Sequence, residues 1–369
     1  MAGDVHRNAR ALRQLGALSN AGLSVTVVCL PGTDLESALP AGVSFVPVVV
    51  TGSGGPRFFW ALHKAFSQAL SRIPARLYHA SDLYVLPAIH AAAGTTPYTY
   101  DARELYTHVS ATVGRPHVRW LWGLVERRHI RHAAQVWTVS NSIADHLERA
   151  YKVPRPRVQF NAPVFKPVAP TSRLRSSLGL GKDTPVIIHV GQLRKDRGAE
   201  ELIGAMALWR PSDPSDTRLV FLGYGPERAR LEANVKVQGI QNRVHFVDAV
   251  PPAELLGAVA EADVGVTLLQ PTCLNHRYAL PNKLFDYLAA GLPVVASDLI
   301  ETRKIISDYA CGWTVDPSSK IAIRDTLSAA VSHRHEALRC NATAAAETLD
   351  WNKTSPAFAA RLTELIAGS

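Results

Sequence analysis

The sequence predicts an α/β protein of two doubly wound halves, with the ligand site expected in a cleft between them. Three observations predict this. The chain has 369 residues, about two domains at roughly 150 residues each. Short β-branched runs alternate with stretches of helical spacing, the pattern of a parallel sheet covered by helices on both faces. The alternation breaks once, over residues 161–170, where Pro163 and Pro167 interrupt any period.

The elements follow in order. A helical stretch over 6–20 leads into 23–30 (LSVTVVCL), a buried parallel strand. Residues 43–50 form another, placed at an edge by Pro47. Strands at 76–79, 98–101 and 135–139 complete the first half. The second half repeats the pattern, with strands at 185–190, 218–222, 244–247, 264–268 and 293–296. Its helices are expected over 200–209, 227–237, 253–260 and 283–290. The domains are therefore 1–165 and 166–350, with a C-terminal helical segment, 351–369, free to pack back on the first domain. A doubly wound domain ordinarily opens with its own strand. Here a helix comes first, so the first strand of the N-terminal domain is expected to be missing.

Composition narrows the function. Apolar residues make up 47% of the chain and charged residues 19%, which suits a large core and excludes a disordered or low-complexity chain. Lys and Arg exceed Asp and Glu by 40 to 31, giving +9. The excess is dispersed. It favours an anionic partner, yet no basic run interleaved with aromatics marks a nucleic-acid groove. The four cysteines, Cys29, Cys273, Cys311 and Cys340, are far apart, which argues against a disulfide framework or a cysteine zinc site and suits a reducing, cytoplasmic setting. No apolar run reaches the length of a membrane helix. The stretch 116–133, with Trp120, Trp122, Arg127, Arg128 and Arg131, could dock peripherally on anionic lipid, but core packing of its tryptophans is the simpler expectation.

Three segments can carry chemistry. In 279–297 (ALPNKLFDYLAAGLPVVAS), Asn282 is the expected N-cap of a helix that ends at Gly291. The N–H groups at that helix start form an anion site, and Lys283 adds charge. Asp286, one turn in, can accept two vicinal ribose hydroxyls or simply favour the helix dipole. In 189–198 (HVGQLRKDRG), Gly191 lets a ligand approach the backbone after a strand, and Arg194, Lys195 and Arg197 crowd the loop. Lys195 is the one of these expected to be only solvated. The turn LVFLGYGP needs Gly223 and Gly225 with or without a ligand. In the first half, His79 and the run Asp101, Ala102, Arg103, Glu104 lie where strands end, the positions that face a ligand crevice in open α/β sheets.

These residues carry a resemblance. PNKLFDYLAAGLPVVAS, GQLRKDRG, LVFLGYGPERARLE and RVHFVDAVPPAELLGAVAEADVGVTL, with LYHASDLYVLPA, TYDARELYT and VWTVSNSIADHL in the first half, resemble the retaining glycosyltransferases of family four. The resemblance implies the GT-B fold, two Rossmann-like domains facing each other across a cleft. It implies a nucleotide diphosphosugar donor in the second domain and a sugar, lipid-linked or small-molecule acceptor in the first. Arg197 would hold the diphosphate, with Arg194 standing in for the basic residue that Gln192 replaces. The backbone at Asn282, Lys283 and Leu284 would hold the same group, beside Gly191. Asp286 would take the ribose, and the base would pack near Phe246 and Asp248. Tyr278 stands where the family usually has a sugar-binding glutamate, with Asn275 and His276 as alternative sugar contacts. Arg103 replaces a common histidine, leaving Glu104. The missing strand would also remove a glycine loop near the donor phosphates.

The reaction implied is glycosyl transfer to an acceptor hydroxyl with retention. Fixed cations would stabilise the leaving diphosphate, so neither a metal nor a further cofactor is expected. Two alternatives stay open: a nucleotide-sugar epimerase on the same scaffold, and a catalytically weakened nucleotide-binding protein.

Overall fold

The computed structural model describes residues 1–6, 8–32, 40–52 and 54–368. They form two compact units. The first contains Met1–Asn161, the short segment Cys273–Asn275 and the C-terminal residues from Trp351 on. The second contains Ala162–Thr272 and His276–Asp350.

In the first unit the strands are β1 (Val25–Cys29), β2 (Val43–Pro47), β3 (Tyr78–Ala80), β4 (Tyr98–Ala102), β5 (Gln135–Thr138) and β6 (Arg157–Val158). All pairings are parallel. They make two separate sheets, β1-β2 and β3-β4-β5-β6. Pro47 ends β2, where a missing N–H costs least. The first helix is Ala9–Asn20, shorter than the expected 6–20. Asn8 stops it at the N-terminus, its side chain accepting the Ala11 amide at 3.0 Å. Arg7, within the expected helix, lies outside the described residues.

The C-terminal helix Trp351–Ala367 joins this unit: Phe358 and Leu362 pack with Trp137, and Leu18 and Leu77 lie against them. Its fully buried residues and the apolar faces of Ala9–Asn20 cover one side of the strands. The expectation for the two tryptophans of Pro116–Ile130 divides. Trp122 packs edge-on against Phe59 and Tyr84, but Trp120 is 66% exposed because its position on the helix points away from that cluster.

The second unit has one six-stranded parallel sheet: β7 (Val186–Val190), β8 (Arg218–Leu222), β9 (Val244–Val247), β10 (Val264–Thr267), β11 (Val294–Ser297) and β12 (Gly312–Val315). Their spatial order is β12-β11-β10-β7-β8-β9, the doubly wound order with its switch between β7 and β10. Strands β7 and β8 are buried almost throughout, so they read as continuous apolar runs. Strand β12 and the helices Ile300–Tyr309, Lys320–Val331 and Glu336–Thr348 go beyond the sequence expectations. The segment Gly312–Val315 (GWTV) has only one β-branched pair and takes its strand conformation from pairing with β11. All four cysteines are free thiols. No described helix is long and apolar enough to cross a membrane.

Candidate functional site

The second unit places its polar side chains where β7 and β10 diverge. Strand β7 runs into Gly191, which adopts φ +102°, a backbone conformation that L side chains rarely adopt. The next turn packs onto it so closely that a Cβ on Gly223 would sit 2.1 Å from the Gly191 carbonyl oxygen, and one on Gly225 2.2 Å from that of Leu193. Both glycines of the G-Y-G-P turn are therefore structural, as their turn chemistry predicted.

Helix Asn282–Ala289 is anchored under this point. The Tyr287 hydroxyl accepts the Val190 amide at 3.0 Å and donates to the Val266 carbonyl at 2.9 Å, tying the helix to β7 and β10. Gly265 makes room, since a Cβ there would lie 2.3 Å from the Tyr287 ring. The N-cap is Pro281, not the expected Asn282, which is the first helical residue. Leu284 departs further from expectation. Its side chain is fully buried, and its amide donates to the Pro281 carbonyl at 3.0 Å, so it supplies no ligand contact.

Lys283 projects toward β7, its Nζ 2.8 Å from His189 Nε2. For the ammonium to donate, Nε2 must hold the lone pair and Nδ1 the proton. His189 Nδ1 is buried without a partner. Burial, then the charges of Lys283 and Arg197, hold the imidazole well below its ordinary pKa, so it is neutral near pH 7. Burial and the Arg197 charge push the Lys283 amine down to about 7, against an opposing pull from Asp286. Lys283, Arg197, Asp286 and His189 thus form one electrostatic group. The Arg197 charge disfavours the Lys283 ammonium, and an arriving anion would favour it.

Other expected residues are placed differently. Arg194 lines a surface depression with Lys195, Glu200, Glu227 and Arg230, and the charge acting on Lys283 and His189 is that of Arg197. The exposed Gln192 amide donates to the Tyr224 hydroxyl at 3.3 Å. Phe246 stacks on Phe221 with centroids 5.0 Å apart, and Arg228 bonds both the Phe246 carbonyl and the exposed Asp248 carboxylate. Asn275 clusters with the first unit, where its Oδ1 accepts the Leu105 amide at 2.7 Å. His276 bonds the Gln270 carbonyl through Nδ1 at 3.0 Å, and its pKa is lowered by burial and then by Arg197. Tyr278 ends the short helix Leu274–Tyr278 and is half-buried.

In the first unit, Glu104 is exposed just beyond β4, and its charge helps raise the Tyr84 pKa, after burial. His79 is not presented at a strand end. Its ring is held inside by Thr99 Oγ1, 2.7 Å from Nδ1, and by the edge of Phe358. Burial lowers its pKa to about 4, so it is a neutral internal residue. Sequence reasoning missed the polar core behind β4. The Arg10 guanidinium forks onto Asp101 at 2.7 and 2.8 Å, and its third nitrogen donates to the Gln159 carbonyl. Asp82 likewise accepts the Ala2 and Val85 amides, with Arg103 3.8 Å away. The signal for both was proximity to strand ends, but only pairing in space distinguishes them from solvated charges.

Comparisons with known proteins agree with this layout. Residues 171–347 match the family model for glycosyl transferases group 1, and residues 8–163 match that for a glycosyl transferase 4-like domain. Among curated relatives, D-inositol 3-phosphate glycosyltransferase of Corynebacterium glutamicum is 26% identical over 204 residues, 53% of this chain and 47% of that protein. The α-D-kanosaminyltransferase of Streptomyces kanamyceticus is 27% identical over 230 residues, 59% of this chain and 56% of that protein. The chain thus spans about half the length of the curated relatives it matches. In fold it is similar to Anabaena HepE, solved in complex with UDP and glucose, at TM-score 0.78 and 16% identity over 99% of this chain and 98% of that one. Sucrose-phosphate synthase from Thermosynechococcus elongatus superposes with TM-score 0.77 and 19% identity over 97% and 92%. With a family model on each half and two Rossmann-like units of the GT-B plan, the chain belongs to the family-four type of glycosyltransferases.

Proposed function

We propose that the protein transfers a glycosyl group from a nucleotide diphosphosugar to an acceptor hydroxyl with retention of configuration. The observation that carries this reading is the group at the switch point of the second sheet. There a depressed Lys283, the Arg197 guanidinium and a helix start converge beside a glycine-opened backbone. That combination suits a diphosphate, which needs both charge and backbone donors. Asp286, one turn along the same helix, is the acid for the ribose hydroxyls.

When the sugar–phosphate bond breaks, negative charge grows on the leaving diphosphate. Arg197 and Lys283 stabilise that charge with cations already in place, so little reorganisation is needed. Arrival of the donor raises the Lys283 pKa and keeps its ammonium charged at neutral pH. The fixed cations supply the charge the leaving group needs, and no cofactor beyond the donor itself is invoked. The acceptor is assigned to the first unit, near Glu104.

The test is a panel of UDP-, GDP- and dTDP-sugars with simple sugar acceptors. Nucleotide diphosphate release that depends on acceptor, with a product whose anomeric configuration by NMR matches the donor, is expected. Sugar interconversion without acceptor would replace this reading with an epimerase. Inverted product would remove retention but leave transfer.

A further inference from the structure

Strand β7 (VIIHV) is a central strand of the second unit's sheet and is buried throughout. All its residues but one are Val or Ile, the composition expected where helices cover both faces. His189 breaks that run. It is 0% exposed, and a polar ring so placed costs free energy unless its nitrogens are bonded. Only one of them is. Nδ1 has no partner, while Nε2 stands 2.8 Å from the Lys283 Nζ. The Phe221 ring packs edge-on against the imidazole, with centroids 5.4 Å apart. A valine or isoleucine at this place would leave no orphaned donor. The strand thus keeps an unbonded buried N–H alongside a single side-chain bond, and that bond ends on a cation of the candidate site.

The bond fixes where the Lys283 charge stands. From the first turn of helix Asn282–Ala289 the side chain passes over Gly191, where an added Cβ would touch Lys283 Cε at 3.9 Å. The charges that act on Lys283 are those of Arg197, in the loop after β7, and Asp286, on its own helix. Helices Pro252–Val259 and Glu336–Thr348 and strands β10 and β11 also pack against that helix, and none of their described residues adds a charge that acts on Lys283. Burial disfavours the ammonium and Arg197 repels it, so Asp286 and the His189 lone pair are what favour it. An ammonium has three N–H donors, and one spent on His189 leaves two for an oxyanion at the helix start.

We propose that His189 is a positioning residue of the donor site: its neutral imidazole, as the Nδ1–H tautomer, accepts the Lys283 ammonium through Nε2 and keeps that charge over Gly191 before the donor arrives. This role rests on the site being the diphosphate site proposed above. His189 is fully buried and acts through Lys283 alone. It supplies a cation already aimed, so that binding need not order a long, free side chain.

The test uses the full chain and two variants. His189→Leu removes the acceptor at similar volume. His189→Gln keeps an oxygen that can accept near the Nε2 position. Binding of UDP, GDP and dTDP is measured by calorimetry from pH 6 to 9, and affinities are taken as ratios to wild type, in which titration of the phosphates cancels. His189→Leu is expected to bind within about threefold of wild type at pH 6 and about tenfold more weakly at pH 8, because an ammonium without its acceptor loses its proton about one pH unit earlier. Competitive acetylation with acetic anhydride, read by mass spectrometry, follows Lys283 without any nucleotide and should show the same one-unit shift. His189→Gln should restore both readouts. The Tm of His189→Leu should be no lower than that of wild type, since an unbonded donor has left the core. Failure of wild type to bind any of the three nucleotides would overturn the diphosphate reading and this role with it. Binding by wild type with a variant ratio that does not change with pH, or with Lys283 titrating alike in all three forms, would overturn the role of His189 alone. Equal losses in both variants would do the same, since they would mark a packing defect.

Discussion

At the scale of single residues, the site depends on charge held at a fixed place. Arg197 is exposed in the loop after β7, yet its field reaches Lys283, His189 and His276. Arg197→Ala should weaken binding of a nucleotide diphosphate by about 1.5–3 kcal/mol, the range for a hydrogen bond to a charged group, as read by calorimetry. Asp286→Asn should weaken ribonucleotide binding while leaving Tm nearly unchanged. A large drop in Tm would instead make Asp286 a helix-dipole residue. Lys283 supplies a pH signature. Its pKa in the free protein is about 7, so it is charged below that pH and neutral above it. Binding of a dianion must restore the proton, so affinity should fall by up to about tenfold per unit as pH rises from 7 toward 9, where the phosphates themselves no longer titrate. Lys283→Arg, always charged, should flatten that profile.

At the scale of elements, close approach decides more than propensity. Gly223→Ala would drive a methyl group into the Gly191 carbonyl, which is backbone and cannot rotate away. We expect a loss of at least about 2 kcal/mol in urea unfolding, beyond the cost of an ordinary loop glycine. Helix Pro116–Ile130 carries a different device. Its Glu126 is fully buried and accepts the Tyr100 and Tyr151 hydroxyls, each at 2.7 Å. Burial raises its pKa from 4.5 to about 7, against the two tyrosine bonds. A raised folded-state pKa contributes stability that is complete below pH 4.5 and lost as pH climbs through 7. Relative to wild type, Glu126→Gln should therefore gain stability between pH 5 and 8, on the order of 3 kcal/mol, measured as the change in urea midpoint.

At the scale of the whole molecule, the chain's last helix completes its first unit. Phe358 and Leu362 are buried against Trp137, some two hundred residues back along the chain. Each such side chain contributes about 1.5–3 kcal/mol by burial, so deleting residues 351–369 should cost the first unit at least about 5 kcal/mol. Tryptophan emission should shift to the red as Trp137 meets solvent, and an unshifted spectrum with intact Tm would show that the helix adds little.

The sequence by itself determined the doubly wound class, most strand positions and the segment around Asp286, because each of these is written in local terms: β-branched runs, a proline-to-glycine helix, three basic residues after a strand. Only the tertiary structure decided which basic residue joins Lys283. Arg194 and Arg197 are three positions apart and chemically alike, and it is the Arg197 charge that acts on Lys283 and His189. The same holds for His79, whose strand-end position reads as functional until Thr99 and Phe358 enclose it. The pairing of Arg10 with Asp101 was equally out of reach, since it joins residues 91 positions apart. Periodicity reports which face of an element is buried; it does not report which neighbour arrives there, and that neighbour sets both the charge and the pKa of a site.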